Sequence, residues 1–134
     1  MRIDTKGRTR EERRRILQGL YVAGRRILRN DTCHTLIVDG RLFLLPRSVY
    51  QVTLPLLEQR ERWERSQAPL WLSDKALLAA SGITTDPSLL RRHINRANNE
   101  LLPTGICFVR VPTYDGPIYQ ALLRDRDIQG ERAG

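Results

Sequence analysis

Two Asp-Gly dipeptides constrain the fold most strongly, because each lies between two runs of β-prone residues. Asp39-Gly40 separates residues 35–38 from residues 41–45, and Asp115-Gly116 lies in a longer connection, 112–117, between residues 106–111 and 118–123. Asp-Gly accepts the positive φ values that a type I′ turn requires. The sequence therefore predicts a β-hairpin at each end of a central segment.

That central segment is predicted to be mainly helical. Pro46 can open a first helix, but Pro55 inside it predicts a kink or a restart. Ser73 is a predicted N-cap, and Asp86-Pro87 is a strong start signal for a further helix. The three helices are predicted over residues 46–66, 74–80 and 87–102, with a minimal strand within residues 68–72.

The basic residues are concentrated near the N-terminus. Residues 1–30 contain ten basic and three acidic side chains, whereas residues 31–134 contain thirteen and twelve. Residues 1–9 have no apolar periodicity and are predicted to form a basic flexible arm, and apolar spacings of three and four predict an amphipathic helix over residues 10–30. Such an arm suits a polyanionic partner, although a solubilising tail is the alternative. The candidate basic contacts of the arm and of the position directly after it are Arg2, Lys6, Arg8 and Arg10.

Several protein classes are not expected. No apolar run reaches the roughly 18–20 residues that cross a bilayer, and no apolar stretch follows the start as in a secretory signal. Cys33 and Cys107 cannot form a disulfide scaffold, so a cytoplasmic location is expected. These two cysteines, His34 and His93 are the only soft ligands and lack paired spacing. Without a glycine-rich phosphate loop or a carboxylate cluster, we expect no catalysis, metal or cofactor.

The third predicted helix has one apolar face. Leu90, Ile94, Ala97 and Leu101 follow an i, i+4, i+7, i+11 pattern and should face the core. Arginine and asparagine occupy much of the remaining surface, and these side chains can make bidentate contacts with guanine and adenine edges. A solvated polar helix is the alternative interpretation. The candidates for DNA contact on this helix are Arg91, Arg92, Asn95, Arg96 and Asn99.

The order of elements after residue 46 is that of a winged helix-turn-helix. Residues 36–123 resemble the winged-helix effector domain of OmpR/PhoB-type response regulators. The similarity is carried by residues 38–46, 72–78 and 108–111, by Gly116 and Tyr119, and by Leu90, His93, Ile94, Arg96 and Leu101. The resemblance implies a three-helix core whose third helix reads the major groove, with the C-terminal hairpin as a wing beside it. Arg110, Thr113 and Tyr114 are the candidate wing contacts.

The chain departs from that family at several positions. Asn98 and Glu100 stand where the family carries an arginine and a lysine, and Ile118 stands where it has a glycine. We expect no receiver domain before the effector domain, so a phosphorylated aspartate switch is not implied. The helix over residues 10–30 and the first hairpin are expected to replace the family's small N-terminal sheet.

The sequence thus predicts an α+β winged helix-turn-helix protein that binds double-stranded DNA without catalysis, as a transcriptional regulator. Its expected parts are the arm 1–9, the helix 10–30, the winged-helix domain 33–124 and a C-terminal tail 125–134. A homodimer through the N-terminal helix would suit two half-sites. The alternative function is a winged-helix protein-interaction subunit of a larger nucleoprotein complex, favoured by the nearly neutral body and by Glu100. RNA binding is a third hypothesis, since a basic arm cannot distinguish the polyanions.

Overall fold

Two antiparallel sheets and three helices form the part of the chain that the computed structural model describes, residues 19–82 and 86–124. The first sheet has four strands in sequence order: β1 (Leu20–Val22), β2 (Arg25–Asn30), β3 (Thr35–Val38) and β4 (Arg41–Leu44). The helices are α1 (Arg47–Arg65), α2 (Asp74–Ser81) and α3 (Pro87–Glu100). The second sheet has the order β5-β7-β6, formed by β5 (Trp71–Ser73), β6 (Ile106–Val111) and β7 (Ile118–Leu123). The expected α+β class is confirmed.

The predicted N-terminal helix is wrong over residues 20–30, which form the β1–β2 hairpin. Ala23 and Gly24 both have positive φ, 53° and 80°, as a two-residue hairpin turn of the I′ kind requires. Leu20, Val22 and Ile27 are buried. The spacing of these residues fits one face of a helix as well as the alternation of side chains along two strands. The strand conformation is favoured because β2 pairs with β3. Residues 10–18 of the predicted helix, the arm and the tail 125–134 lie outside the described residues.

The first Asp-Gly hairpin is confirmed. Asp39 and Gly40 have φ values of 49° and 85° and join β3 to β4, with Val38 opposite Arg41. The N-terminal sheet therefore has four strands where a single hairpin was expected. Its first edge, β1, is covered by α1, because the Glu61 carboxylate accepts the Tyr21 N–H at 2.8 Å and the Glu64 carboxylate accepts the Ala23 N–H at 2.7 Å.

Helix α1 is the centre of the core. It is one continuous helix through Pro55, so the predicted restart is not seen. It contacts both sheets, α2 and α3, and its Val52, Leu56 and Leu57 are fully buried. Among the described residues, no helix has the length and apolar character to cross a membrane.

Helices α2 and α3 begin at the predicted caps. The Ser73 hydroxyl accepts the Ala76 N–H at 3.1 Å, and the Asp86 carboxylate accepts the Ser88 N–H at 2.9 Å, with Pro87 in the first helical turn. The predicted apolar face of α3 is confirmed. Its buried residues are Leu90, Ile94, Ala97 and, directly after the helix, Leu101.

Candidate nucleic-acid interface

The outward face of α3 is polar and accessible. At 3.6 residues per turn, the positions most directly opposite the buried stripe hold residues 88, 92, 95 and 99. All five predicted contact residues of this helix are exposed: Arg91, Arg92, Asn95, Arg96 and Asn99. Within the described residues, no ion pair involves Arg91 or Arg92. These two guanidinium groups are therefore available to an anionic ligand, and the two asparagines can both donate and accept hydrogen bonds.

One flank of α3 is bonded to the β6–β7 hairpin. The Asn98 side-chain amide donates to the Phe108 carbonyl at 3.0 Å, and its oxygen accepts the Phe108 N–H at 2.7 Å. Asn98 thereby satisfies both backbone groups of one β6 residue, as a neighbouring strand would. From the sequence, Asn98 is noted only as the replacement of a basic residue of the family. In the structure, its two hydrogen bonds hold the β6–β7 hairpin against α3.

Two arginines, one on α3 and one on β6, act electrostatically on Tyr119 of β7. Burial raises the pKa of this tyrosine, while Arg110 and then Arg91 act in the opposite direction and Asp74 adds a smaller upward effect. Arg110 lies directly opposite Tyr119 in the pairing of β6 with β7. Arg110 is exposed, so its charge lies on the surface beside α3. Two predicted contacts that are 19 residues apart in the sequence, Arg91 and Arg110, therefore both influence the same tyrosine in the structure.

The tip of the β6–β7 hairpin is a tight turn. Thr113 and Gly116 exchange backbone hydrogen bonds of 3.2 and 3.1 Å, and the Thr113 hydroxyl donates to the Gly116 carbonyl. Tyr114 at the centre of the turn is fully exposed, at 104%. The adjacent Asp115 is exposed as well and carries a negative charge. The tip therefore offers one projecting aromatic side chain, and its local charge is acidic.

Arg96 differs from the other arginines of α3, because it forms an ion pair. Its Nε lies 2.9 Å from Glu100 Oε1. From the sequence, Glu100 is noted as the replacement of a basic residue of the family, but its binding to one of the candidate contacts is not predicted. The i, i+4 spacing on a helix could have indicated this pair.

A partly buried polar cluster was missed in the sequence. Arg29 binds Asp31 in a bidentate pair and reaches Glu58 at 3.3 Å, and the Tyr50 hydroxyl donates to Asp31 at 2.6 Å. Burial lowers the pKa of Arg29, but Asp31 and Glu58 outweigh it and raise that pKa overall. Arg29, Asp31 and Glu58 also line a pocket of about 270 Å³, together with His34. Because the charges already pair with one another, the cluster is best explained as a structural link between β2 and α1.

Other predicted features have the following positions. Arg2, Lys6, Arg8 and Arg10 lie outside the described residues. Cys33 is exposed and Cys107 is buried. Within residues 19–82 and 86–124, no group of three or more His, Cys, Asp or Glu side chains is arranged to hold a metal ion.

Comparisons with known proteins found no matching family model, no matching curated protein and no matching solved structure.

Proposed function

We propose that this chain is a cytoplasmic, non-catalytic winged helix-turn-helix protein that binds double-stranded DNA and regulates transcription. One observation carries the proposal: Arg91, Arg92, Asn95 and Asn99 of α3 are exposed, and Arg110 of the adjacent hairpin extends the same basic surface. The arrangement of three helices followed by a hairpin supports it. The sheet β1–β4 supports it as well, since a small N-terminal sheet is a feature of the OmpR/PhoB-type effector domains that the sequence resembles.

The proposed mode of binding follows from the dimensions of the helix. Fourteen residues at about 1.5 Å each give α3 a length of about 21 Å, and the major groove, about 12 Å wide, admits one helix. With its buried stripe turned to α1, α3 would present Arg92, Asn95 and Asn99 to base edges. Arginine suits guanine and asparagine suits adenine, because each pair can form two parallel hydrogen bonds.

The hairpin would contact the DNA backbone beside the groove. Arg110 supplies a charge for a phosphate, and Tyr114 supplies a hydroxyl group at the tip. The Thr113 hydroxyl donates to the Gly116 carbonyl, so Thr113 would have to exchange this bond to contact a phosphate. Phosphate contacts of this kind fix the orientation of a protein on the duplex without reading the sequence. The bonds between Asn98 and Phe108 would keep the hairpin in register with α3.

A salt series on random-sequence duplex DNA tests the proposal, with fluorescence anisotropy as the readout. Each phosphate contact contributes about 0.9 to the slope of log affinity against log salt. Replacing Arg91 and Arg92 by Gln should weaken binding and reduce the slope by up to about two. The matched control replaces Arg62 and Arg65 of α1 by Gln; both are exposed, and the change in net charge is identical.

Two results would contradict the proposal. One is the absence of binding by the unmodified protein at micromolar concentration and low salt. The other is an equal loss of affinity in both double variants, because that would show a response to net charge and not to the α3 surface.

A protein-interaction subunit is the second candidate function, and strand β4 favours it. Leu42 and Leu44 are 53% and 67% exposed. Since Val38 and Arg41 close a two-residue hairpin, the N–H and C=O groups of these leucines point away from β3, toward an edge that no other strand within residues 19–82 and 86–124 covers. Exposed leucines on an open edge are typical of a surface that pairs with another chain.

Light scattering distinguishes the second function from the first. A chain that needs a protein partner should self-associate when purified alone, and replacing Leu42 and Leu44 by Lys should make it monodisperse. A monodisperse unmodified chain that binds duplex DNA would contradict a dependence on such a partner.

A further inference from the structure

The ion pair between Arg96 and Glu100 occupies the end of the proposed DNA-reading helix. The two side chains are 57% and 36% exposed, and their charged atoms lie 2.9 Å apart. Arg96 lies one position from Asn95, and Glu100 lies one position from Asn99, so the pair borders the outward face of α3. On a helical projection, both lie toward the flank opposite Asn98 and the β6–β7 hairpin.

The acidic side chain of Glu100 does little to stabilise helix α3. Glu100 is the last residue of α3, where the helix dipole favours a cation, and the last turn contains no basic residue. An arginine four residues before a glutamate is also the weaker orientation of such a pair. An exposed pair contributes little to folding in any case. The chain therefore keeps a negative charge beside a DNA-facing surface without a compensating structural gain.

We propose that Glu100 is a specificity-determining residue, which lowers sequence-independent affinity for DNA by keeping Arg96 from the phosphates. This inference rests on the proposed function. The Glu100 carboxylate competes with phosphate oxygens for the Arg96 guanidinium, and its own charge repels the DNA backbone. Binding then depends more on base contacts by Arg92, Asn95 and Asn99, because a smaller share of the affinity comes from phosphates common to every sequence.

The test is a double-mutant cycle of Arg96→Gln and Glu100→Gln, measured on random-sequence duplex across a salt series. E100Q should bind about five- to tenfold more tightly at low salt, with a slope steeper by about one, because Arg96 gains a phosphate contact. R96Q alone should change affinity little. In the E100Q background, the same substitution should remove the gain, so the two effects are not additive.

The design separates the contribution of Arg96 from net charge. The variant with both substitutions has the net charge of the unmodified protein and should bind random DNA about as tightly. Equal effects of R96Q in both backgrounds, or no gain in E100Q, would overturn the inference while the proposed function stands. If the unmodified protein and E100Q both fail to bind duplex, the proposed function falls and the inference with it. Equal thermal melting of the four proteins shows that the fold is unchanged, and Glu100→Ala serves as a second variant in which a gain is again expected.

Discussion

Replacing Asn98 by alanine should detach the β6–β7 hairpin from α3. The change removes two hydrogen bonds to Phe108, of 3.0 and 2.7 Å, each with a net contribution of about 1 kcal/mol. It also leaves the Phe108 N–H without a partner in a residue that is 2% exposed, which costs about 1–3 kcal/mol. Alanine is the better helix former by about 0.5 kcal/mol. Because the cost of the unpaired N–H already includes the loss of its own hydrogen bond, the free energy of unfolding should fall by about 1.5–3.5 kcal/mol.

The neighbouring asparagine provides the matched control. Asn99 has the same side chain in the same helical turn but is exposed, so Asn99→Ala should change the free energy of unfolding by less than about 0.5 kcal/mol. Urea unfolding followed by far-ultraviolet circular dichroism measures both variants, and an unchanged m-value makes the midpoints comparable. DNA affinity should reverse the order, because Asn99 faces the proposed ligand. Equal stability of the two variants would refute the structural role assigned to Asn98.

Two further predictions concern stability. Ser73→Ala removes the hydroxyl that accepts the Ala76 N–H at 3.1 Å, so it should lower the free energy of unfolding by about 1 kcal/mol. The control is Ser88→Ala within α3, which should have a smaller effect in the same urea titration. Burial and the hydrogen bond to Asp31 raise the pKa of Tyr50, so above pH of about 10 the unfolded state binds fewer protons than the folded state. Stability should then fall as the pH rises, and the decline should be shallower in Tyr50→Phe; parallel declines would contradict this assignment.

The described α+β architecture could largely be predicted from short-range signals. The turn at Asp39-Gly40 and the caps at Ser73 and Asp86 depend on the residues themselves and their nearest neighbours, and all three were predicted correctly. The apolar face of α3 was predicted as well, because its period of three and four residues extends over a whole helix. The exposure of the polar candidates on α3 follows from the same period.

The N-terminal sheet could not be predicted in the same way. Residues 20–30 have a spacing that suits a helix and a hairpin equally, and the choice depends on partners distant in sequence. Leu28 of β2 lies opposite Ile37 of β3, and the carboxylate of Glu61, forty positions after Tyr21, accepts a hydrogen bond from β1. Local propensity is a weak signal when such tertiary contacts are available.

Local sequence signals were enough to locate the Asp39-Gly40 turn and the caps at Ser73 and Asp86. They also identified the buried face of α3 and the large positive charge of the N-terminal thirty residues. Contacts between distant parts of the folded chain were needed to show that the chain around Ala23 turns back as a hairpin, that Arg91 and Arg110 both lower the pKa of Tyr119, and that Asn98 bonds to the hairpin backbone. The physical reason is the range of the interactions. Turns and helix faces depend on residues a few positions apart, whereas strand pairing and side-chain convergence depend on groups that only the folded chain brings into contact.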